Sequence, residues 1–207
     1  MKNLILILFL LFAITKINAQ GINESLENKL DSIQKDDQKY RRMQQDILQK
    51  YGADSAQLFW KTSHDEIHKI DSVSLTQVIS ILDLYGWLGP EVVGEDGNVT
   101  LFLVIQHADL KTQEKYLPMM REAVKNGKAY PRNLALLEDR VAKREGKKQI
   151  YGSQIEFNDS TKTYFVFPIE DEPNVNKRRT AVGLETLEEY VKQWNIKYIL
   201  PIKQTEN

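Results

Sequence analysis

The chain has 207 residues, with 28 basic against 29 acidic side chains, 42% apolar residues and no cysteine, a size and apolar content that fit one compact domain or at most two. Without cysteine there is no disulfide framework, thiolate metal site, lipid-modified N-terminal cysteine or cysteine nucleophile. A formal charge of -1 and a pI near 6.3 give no field of the kind nucleic-acid binders use to release counterions, so nucleic acid is not an expected partner.

Residues 1–19 read as a secretory signal peptide, with basic Lys2, an apolar run from Leu4 to Ile14, and small Ala19 before Gln20. The run is too short for a permanent membrane anchor, so cleavage after Ala19 and export to the periplasm or beyond are expected. Cleavage removes 19 of 207 residues, among them Lys2 and Lys16 but no acid, leaving 188 residues with a charge of -3. An exported chain without disulfides must rely on its core, which this length supplies. Asn23, Asn98 and Asn158 each open an Asn-x-Ser/Thr triplet, which matters only in a eukaryotic secretory route. The signal has a bacterial pattern, so the triplets carry no weight.

Residues 20–207 contain no repeat, Pro/Ser-rich linker or long charge block and read as a single domain. Leu26, Leu30, Ile33, Tyr40, Ile47 and Leu48 recur at helical spacing over 24–49, and Tyr51-Gly52 ends that helix. A second helix is expected over 55–69. A third opens at Ser74, where Ser74-Leu-Thr-Gln77 has the form of a capping box. Turn residues from Tyr85 to Pro90 break the chain. Leu101-Phe-Leu-Val-Ile105 suits either a strand or a buried helix, and helical neighbours favour a helix over 98–108. Two more helices follow over 111–126 and 131–145, stopped by Asn126-Gly127 and Gly146.

The pattern then changes. β-Branched and aromatic residues over 149–157 and 161–167, with Asn158-Asp159-Ser160 between them, predict a β-hairpin. An acidic loop over 168–174 and short helices over 175–182 and 185–194 complete a mainly α fold, a helical domain with one late hairpin (α+β).

Polar residues standing where the pattern wants apolar ones are the functional signal. The first-helix stripe runs through Asp37, Tyr40, Arg41 and Gln44, making Asp37 and Arg41 an i,i+4 pair beside the core, either a structural salt bridge or a functional one. Gln106, His107 and Asp109 end the most apolar helix, and histidine suits proton transfer near neutral pH, though a hydrogen-bonded structural role is equally open. Asp139 and Arg140 lie on a helix that is apolar on two sides, and their partners must come from other segments. Tyr151-Gly152-Ser153-Gln154 interrupts the first strand, as a bulge or a close backbone approach does. Arg178-Arg179 precedes Gly183-Leu184 and suits an anion clamp or a solvated surface. His64 and His68 share a helix face, but Asp65 stands where the zincin pattern has Glu; an exposed polar face is preferred and no metal is expected.

In chain order, Asp37-Gln38-x-x-Arg41, Tyr85-Gly86-Trp87, Gln106-His107-Ala108-Asp109, Asp139-Arg140-Val141, Tyr151-Gly152-Ser153-Gln154 and Arg179-x-x-x-Gly183-Leu184 resemble the uncharacterised bacterial domain-of-unknown-function family 6624. The resemblance spans about Leu26 to Tyr190. Leu88 stands where the family has Pro, and Ser153 where it has Thr. The motifs coincide with the polar anomalies and miss His64 and His68. The resemblance implies a shared polar site and brings no reaction with it.

Two functional classes follow. In the first, an exported, cofactor-free enzyme uses His107 as general acid/base oriented by Asp109 or Asp139. Asp37, Gln106, Tyr151 and Gln154 line its pocket, and Arg41, Arg140 or Arg179 holds a small carboxylate or phosphate. No serine-elbow, phosphate-loop or dinucleotide motif occurs, which favours hydrolysis or proton transfer on a small anionic molecule. In the second, the same residues form a non-catalytic ligand- or partner-binding module. A purely structural network is the remaining reading.

Overall fold

A computed structural model describes residues 22–201, so the expected signal segment lies outside the described residues. Eight α-helices occur among them: α1 Glu24–Tyr51, α2 Ala53–Thr62, α3 His64–Tyr85, α4 Pro90–His107, α5 Leu110–Lys125, α6 Pro131–Arg144, α7 Val175–Ala181 and α8 Leu187–Tyr190. An antiparallel hairpin of β1 Ile155–Asn158 and β2 Thr163–Val166 sits between α6 and α7, in the register Ile155 with Val166 through Asn158 with Thr163. The mainly helical fold with one late hairpin is thus the observed architecture. No described helix is long and apolar enough to cross a membrane.

α4 is the axis of the fold. Its apolar run is helical, with Leu101, Phe102, Val104 and Ile105 all buried, because α1, α3, α5 and α6 all pack on it. Leu30 and Ile33 reach it from α1, Val78, Ile81 and Leu82 from α3, and Tyr116 and Met120 from α5. α6 supplies Leu137 and Val141. Its buried positions Ala135, Leu137, Asp139 and Val141 span both sides of the helix, as the two-sided apolar pattern anticipates.

Two expectations need correction. The chain does not start a helix at Ser74. It breaks at Ser63 and runs continuously over α3, with Ile67, Ser74, Val78, Ile81 and Leu82 buried in one stripe. A small hydroxyl side chain fits inside that stripe, so packing overrides the local capping pattern. The first hairpin strand is also much shorter than 149–157, because residues 149–154 form a closed loop instead of a ladder.

Gln149 closes the neck of that loop. Its Oε1 accepts from the Gln154 amide at 2.7 Å, while its Nε2 donates to the carbonyls of Gln154 at 3.2 Å and Phe167 at 2.6 Å. Gly152 makes the turn possible with φ of 74°. Its bare Cα faces a second small core of Ile169, Val175, Leu187 and Val191. A Cβ there would come within 2.9 Å of Ile169 Cδ1 and 3.0 Å of Leu187 Cδ1.

A matched pair of substitutions tests this. Gly183 has a similar φ of 76° but open space around it, so Gly183→Ala meets only the left-handed penalty of about 1 kcal/mol. Gly152→Ala adds overpacking of about 1–3 kcal/mol. Urea denaturation should rank Gly152→Ala clearly below Gly183→Ala; equal midpoints would contradict the close packing of the loop.

Candidate functional site

Three sides of the fold converge on one cleft. α1 brings Asp37 and Arg41 inward because both lie on its core-facing stripe, and the C-terminal end of α4 delivers His107. α3 contributes Asp71, and α6 contributes Arg140 and Arg144. Arg41, Trp60, His68, His107, Arg140 and Arg144 line a cavity of about 360 Å³. An adjoining cavity of about 630 Å³ shares His68, Asp71, His107 and Arg144 with it and extends past Asp109.

The centre is a half-buried His107 paired with a buried Asp37. His107 Nδ1 lies 3.0 Å from Asp37 Oδ1, and Asp37 is 1% exposed. A carboxylate only accepts, so Nδ1 carries the proton and donates, which leaves the lone pair on Nε2. Burial opposes charge on Asp37. The hydrogen bond from His107, the charges of His107 and Arg41, and the Gln38 amide at 2.6 Å together outweigh it and hold the carboxyl below its ordinary range. Burial pulls His107 below its ordinary value, the positive charges of Arg41 and Arg140 act in the same direction, and Asp37 only partly compensates. The resting site therefore has an ionised Asp37 and a neutral His107 at pH 7.

Arg41 is held through both terminal nitrogens. Its Nη1 donates to the Asp37 carbonyl at 2.5 Å, and its Nη2 reaches both Asp71 oxygens at 2.9 and 3.0 Å. Arg144 Nη1 donates to the Ala108 carbonyl, which fixes Arg144 to the end of α4. Arg140 differs from both. Among the described residues its guanidinium has no hydrogen-bond acceptor or ion-pair partner, and its Nε is fully enclosed. Burial, reinforced by Arg144 and Arg41, pulls it down to about 10.

Asp139, one residue before Arg140, points the other way. Its Oδ1 accepts from the amides of Ile150 at 2.7 Å and Tyr151 at 2.9 Å, and its Oδ2 from that of Ser153 at 2.9 Å. Burial pushes this carboxyl upward and the three donors act against that; surroundings made only of donors suit the carboxylate.

These contacts sort the residues singled out by sequence. Asp37, Arg41, His107 and Arg140 come together, with Asp109 on the cleft wall. The group orienting His107 is Asp37, which replaces Asp109 and Asp139 in that role. Asp139 is occupied by the loop, and Asp109 caps α5 by accepting from the Thr112 amide at 2.7 Å. Gln106 lies in the core, donating to the Leu136 carbonyl at 3.3 Å and accepting at its own carbonyl from Gln113 at 2.8 Å. Arg179 is completely buried away from the cleft, donating to the carbonyls of Glu185 at 2.6 Å and Tyr151 at 2.7 Å. It is therefore a tie within the C-terminal unit, and Tyr151 is held through its backbone on both sides. Gln154 lines a third cavity, beyond Arg140.

Sequence reasoning missed Trp60, Asp71 and Arg144, and placed His64 and His68 outside any site. All three histidines of the chain line the first cavity. The rings of His64 and His68 lie tilted against each other at 58° with centroids 4.2 Å apart. Among the described residues, no group of three or more His, Cys, Asp or Glu side chains is arranged to hold a metal ion.

The titration of the central pair has a definite sign. His107 is neutral in the fold while the unfolded chain takes up its proton near 6.5. Its contribution is full above pH 6.5 and is lost as pH falls through the lowered native value. Asp37 adds a second loss below its ordinary 3.8. Denaturation midpoints should fall from pH 7.5 to 5.5 in the native protein and change much less in His107→Gln. An identical pH dependence in the two would contradict a neutral His107.

With this geometry in place, comparison shows that residues 24–203 match the family model described as "Family of unknown function (DUF6624)". Comparisons with curated proteins and with solved structures find no match.

Proposed function

The chain belongs to the DUF6624 family, whose description names no reaction, and we propose from its cleft that it is a cofactor-free acid/base enzyme acting on a small anionic molecule. One observation carries the reading: a half-buried Arg140, its enclosed Nε without an acceptor among the described residues, opens onto the same cavity as a neutral, carboxylate-oriented His107. Arg41 and Asp71 satisfy each other, so Arg140 is the guanidinium left for a ligand. A planar fork of donors in a partly desolvated wall suits a carboxylate or a phosphate.

Bound there, the molecule lies beside His107. Nε2 takes a proton from a water or from the molecule itself, and Asp37 stabilises the imidazolium that forms. In hydrolysis the water oxygen bonds to the ester carbon or phosphorus, the bond to the leaving oxygen breaks, and the same nitrogen gives its proton to that oxygen, leaving the pair as it began. Arg41 keeps Asp37 ionised throughout and is a positioning residue. Outside the cytoplasm is where this reading places the protein, on the strength of Lys2, Leu4–Ile14 and Ala19.

Two readouts test the proposal. Inorganic phosphate at roughly 100 times its Kd should raise the melting temperature by about 5 °C or more. His107→Gln should keep that rise but lose about 10²–10⁴-fold in hydrolysis across a panel of phosphate- and carboxylate-bearing esters. An absent thermal shift would remove the anion site. A retained shift with no turnover in the native protein would leave a binding module.

A further inference from the structure

Beyond Arg140 the cleft continues into a third cavity, of about 620 Å³, that shares Trp60 and Arg140 with the first. Its chemistry is different. Where the first cavity is walled by arginines and histidines, this one is walled by amides and aromatic rings. Gln44 of α1, Gln57 of α2 and Gln154 of the loop face it, with Trp60, Tyr164 and Trp194. Its other charges cancel, since Lys143 Nζ lies 2.7 Å from Glu156 Oε1.

Resting on the anion-binding reading above, we propose that the substrate is an anionic saccharide. Its carboxylate or phosphate sits on Arg140, and its neutral, hydroxyl-rich body lies along the amide and aromatic cavity.

Three features support that class. An amide side chain offers donors and an acceptor together, the complement of a sugar hydroxyl, which is also both. Gln44 and Gln57 are half-buried and make no side-chain hydrogen bond among the described residues, so their capacity is unspent. Aromatic rings around them provide flat apolar faces that fit the C–H faces of a pyranose. Rigidity favours the site as well. Gln154 is fixed through its backbone to Gln149 at 2.7 Å, and Phe157 and Tyr164 pack edge to face with centroids 5.2 Å apart. A long acidic peptide would demand free cations along the groove, whereas, among the described residues lining it, Lys143 is paired and Arg140 alone is left, at the junction.

The anion can be a carboxylate, as in a uronic acid, or a phosphate, as in a sugar phosphate, and the experiment separates the two. Calorimetric titration of the full chain would compare inorganic phosphate, a neutral maltotriose, a glucuronate-containing disaccharide and glucose 1-phosphate. At least one acidic saccharide should bind 10-fold or more tighter than both phosphate and maltotriose, and which one does identifies the anion. The double variant Gln44→Ala, Gln57→Ala, on half-buried helix surfaces, should lose at least 10-fold in saccharide affinity and keep phosphate affinity within 2-fold.

Phosphate binding with no gain from either acidic saccharide overturns the saccharide and leaves the anion site standing. No binding of phosphate or of any saccharide overturns both. An acidic hexapeptide that binds as tightly as the best saccharide, or a double variant that weakens phosphate and saccharide equally, also overturns this inference.

Discussion

The hydrogen bonds from three backbone amides to Asp139 hold the rest of the arrangement in place. Hydrogen bonds to a charged acceptor contribute about 1.5–3 kcal/mol each in favourable settings, and a buried carboxylate deprived of them would be strongly destabilising. Through these bonds α6 anchors the 149–154 loop, and with it the hairpin and the small core around Val175 and Leu187. They also consume the one carboxylate adjacent to Arg140. A helix that aims Asp139 at a loop must aim the next side chain elsewhere, and here that direction is the cleft.

The cleft itself pairs satisfied groups with one that is unsatisfied. Asp37, Arg41, Asp71 and His107 form a network in which every charge has a partner, as a buried polar cluster must if it is to be tolerated. Arg140 has none among the described residues, and two further arginines, Arg41 and Arg144, share its surroundings. Such an arrangement is costly to the folded state, and costs of this kind concentrate where a ligand compensates for them.

Much of this was legible in the sequence because it is local. Helical periodicity found α1, α5 and α6, and the break after Arg144 marked the change to extended chain. Asp37 and Arg41 stand out from the stripe of α1 alone, and Arg140 from flanking Asp139 on a helix apolar on two sides. Errors arose where distant contacts decide. Ser74 has the local form of a cap, yet the continuous stripe from Ile67 to Leu82 keeps α3 unbroken. Residues 149–154 have strand composition, yet the side chains of Gln149 and Asp139 bend them into a loop. The acid that orients His107 is 70 positions away in sequence, whereas Asp109 and Asp139 were nearer or more conspicuous. Asp71 and Trp60 sit on ordinary amphipathic helices, and no sequence signal distinguishes them from solvated neighbours. Arg179 looked like an anion clamp because two adjacent arginines do not reveal which carbonyls they meet.

On the proposed reading Arg140 is kept for a ligand at the expense of stability, and Arg140→Met tests both sides of that exchange. The guanidinium stays charged at pH 7 folded or unfolded. Its pull down to about 10, from burial and the repulsion of Arg144 and Arg41, is therefore a cost to the folded state that is fully present there. Melting curves of the native protein and Arg140→Met, each with and without inorganic phosphate, read out both sides. Arg140→Met should melt higher than the native protein and no longer respond to phosphate. A variant that melts lower, or that still responds like the native protein, would contradict it.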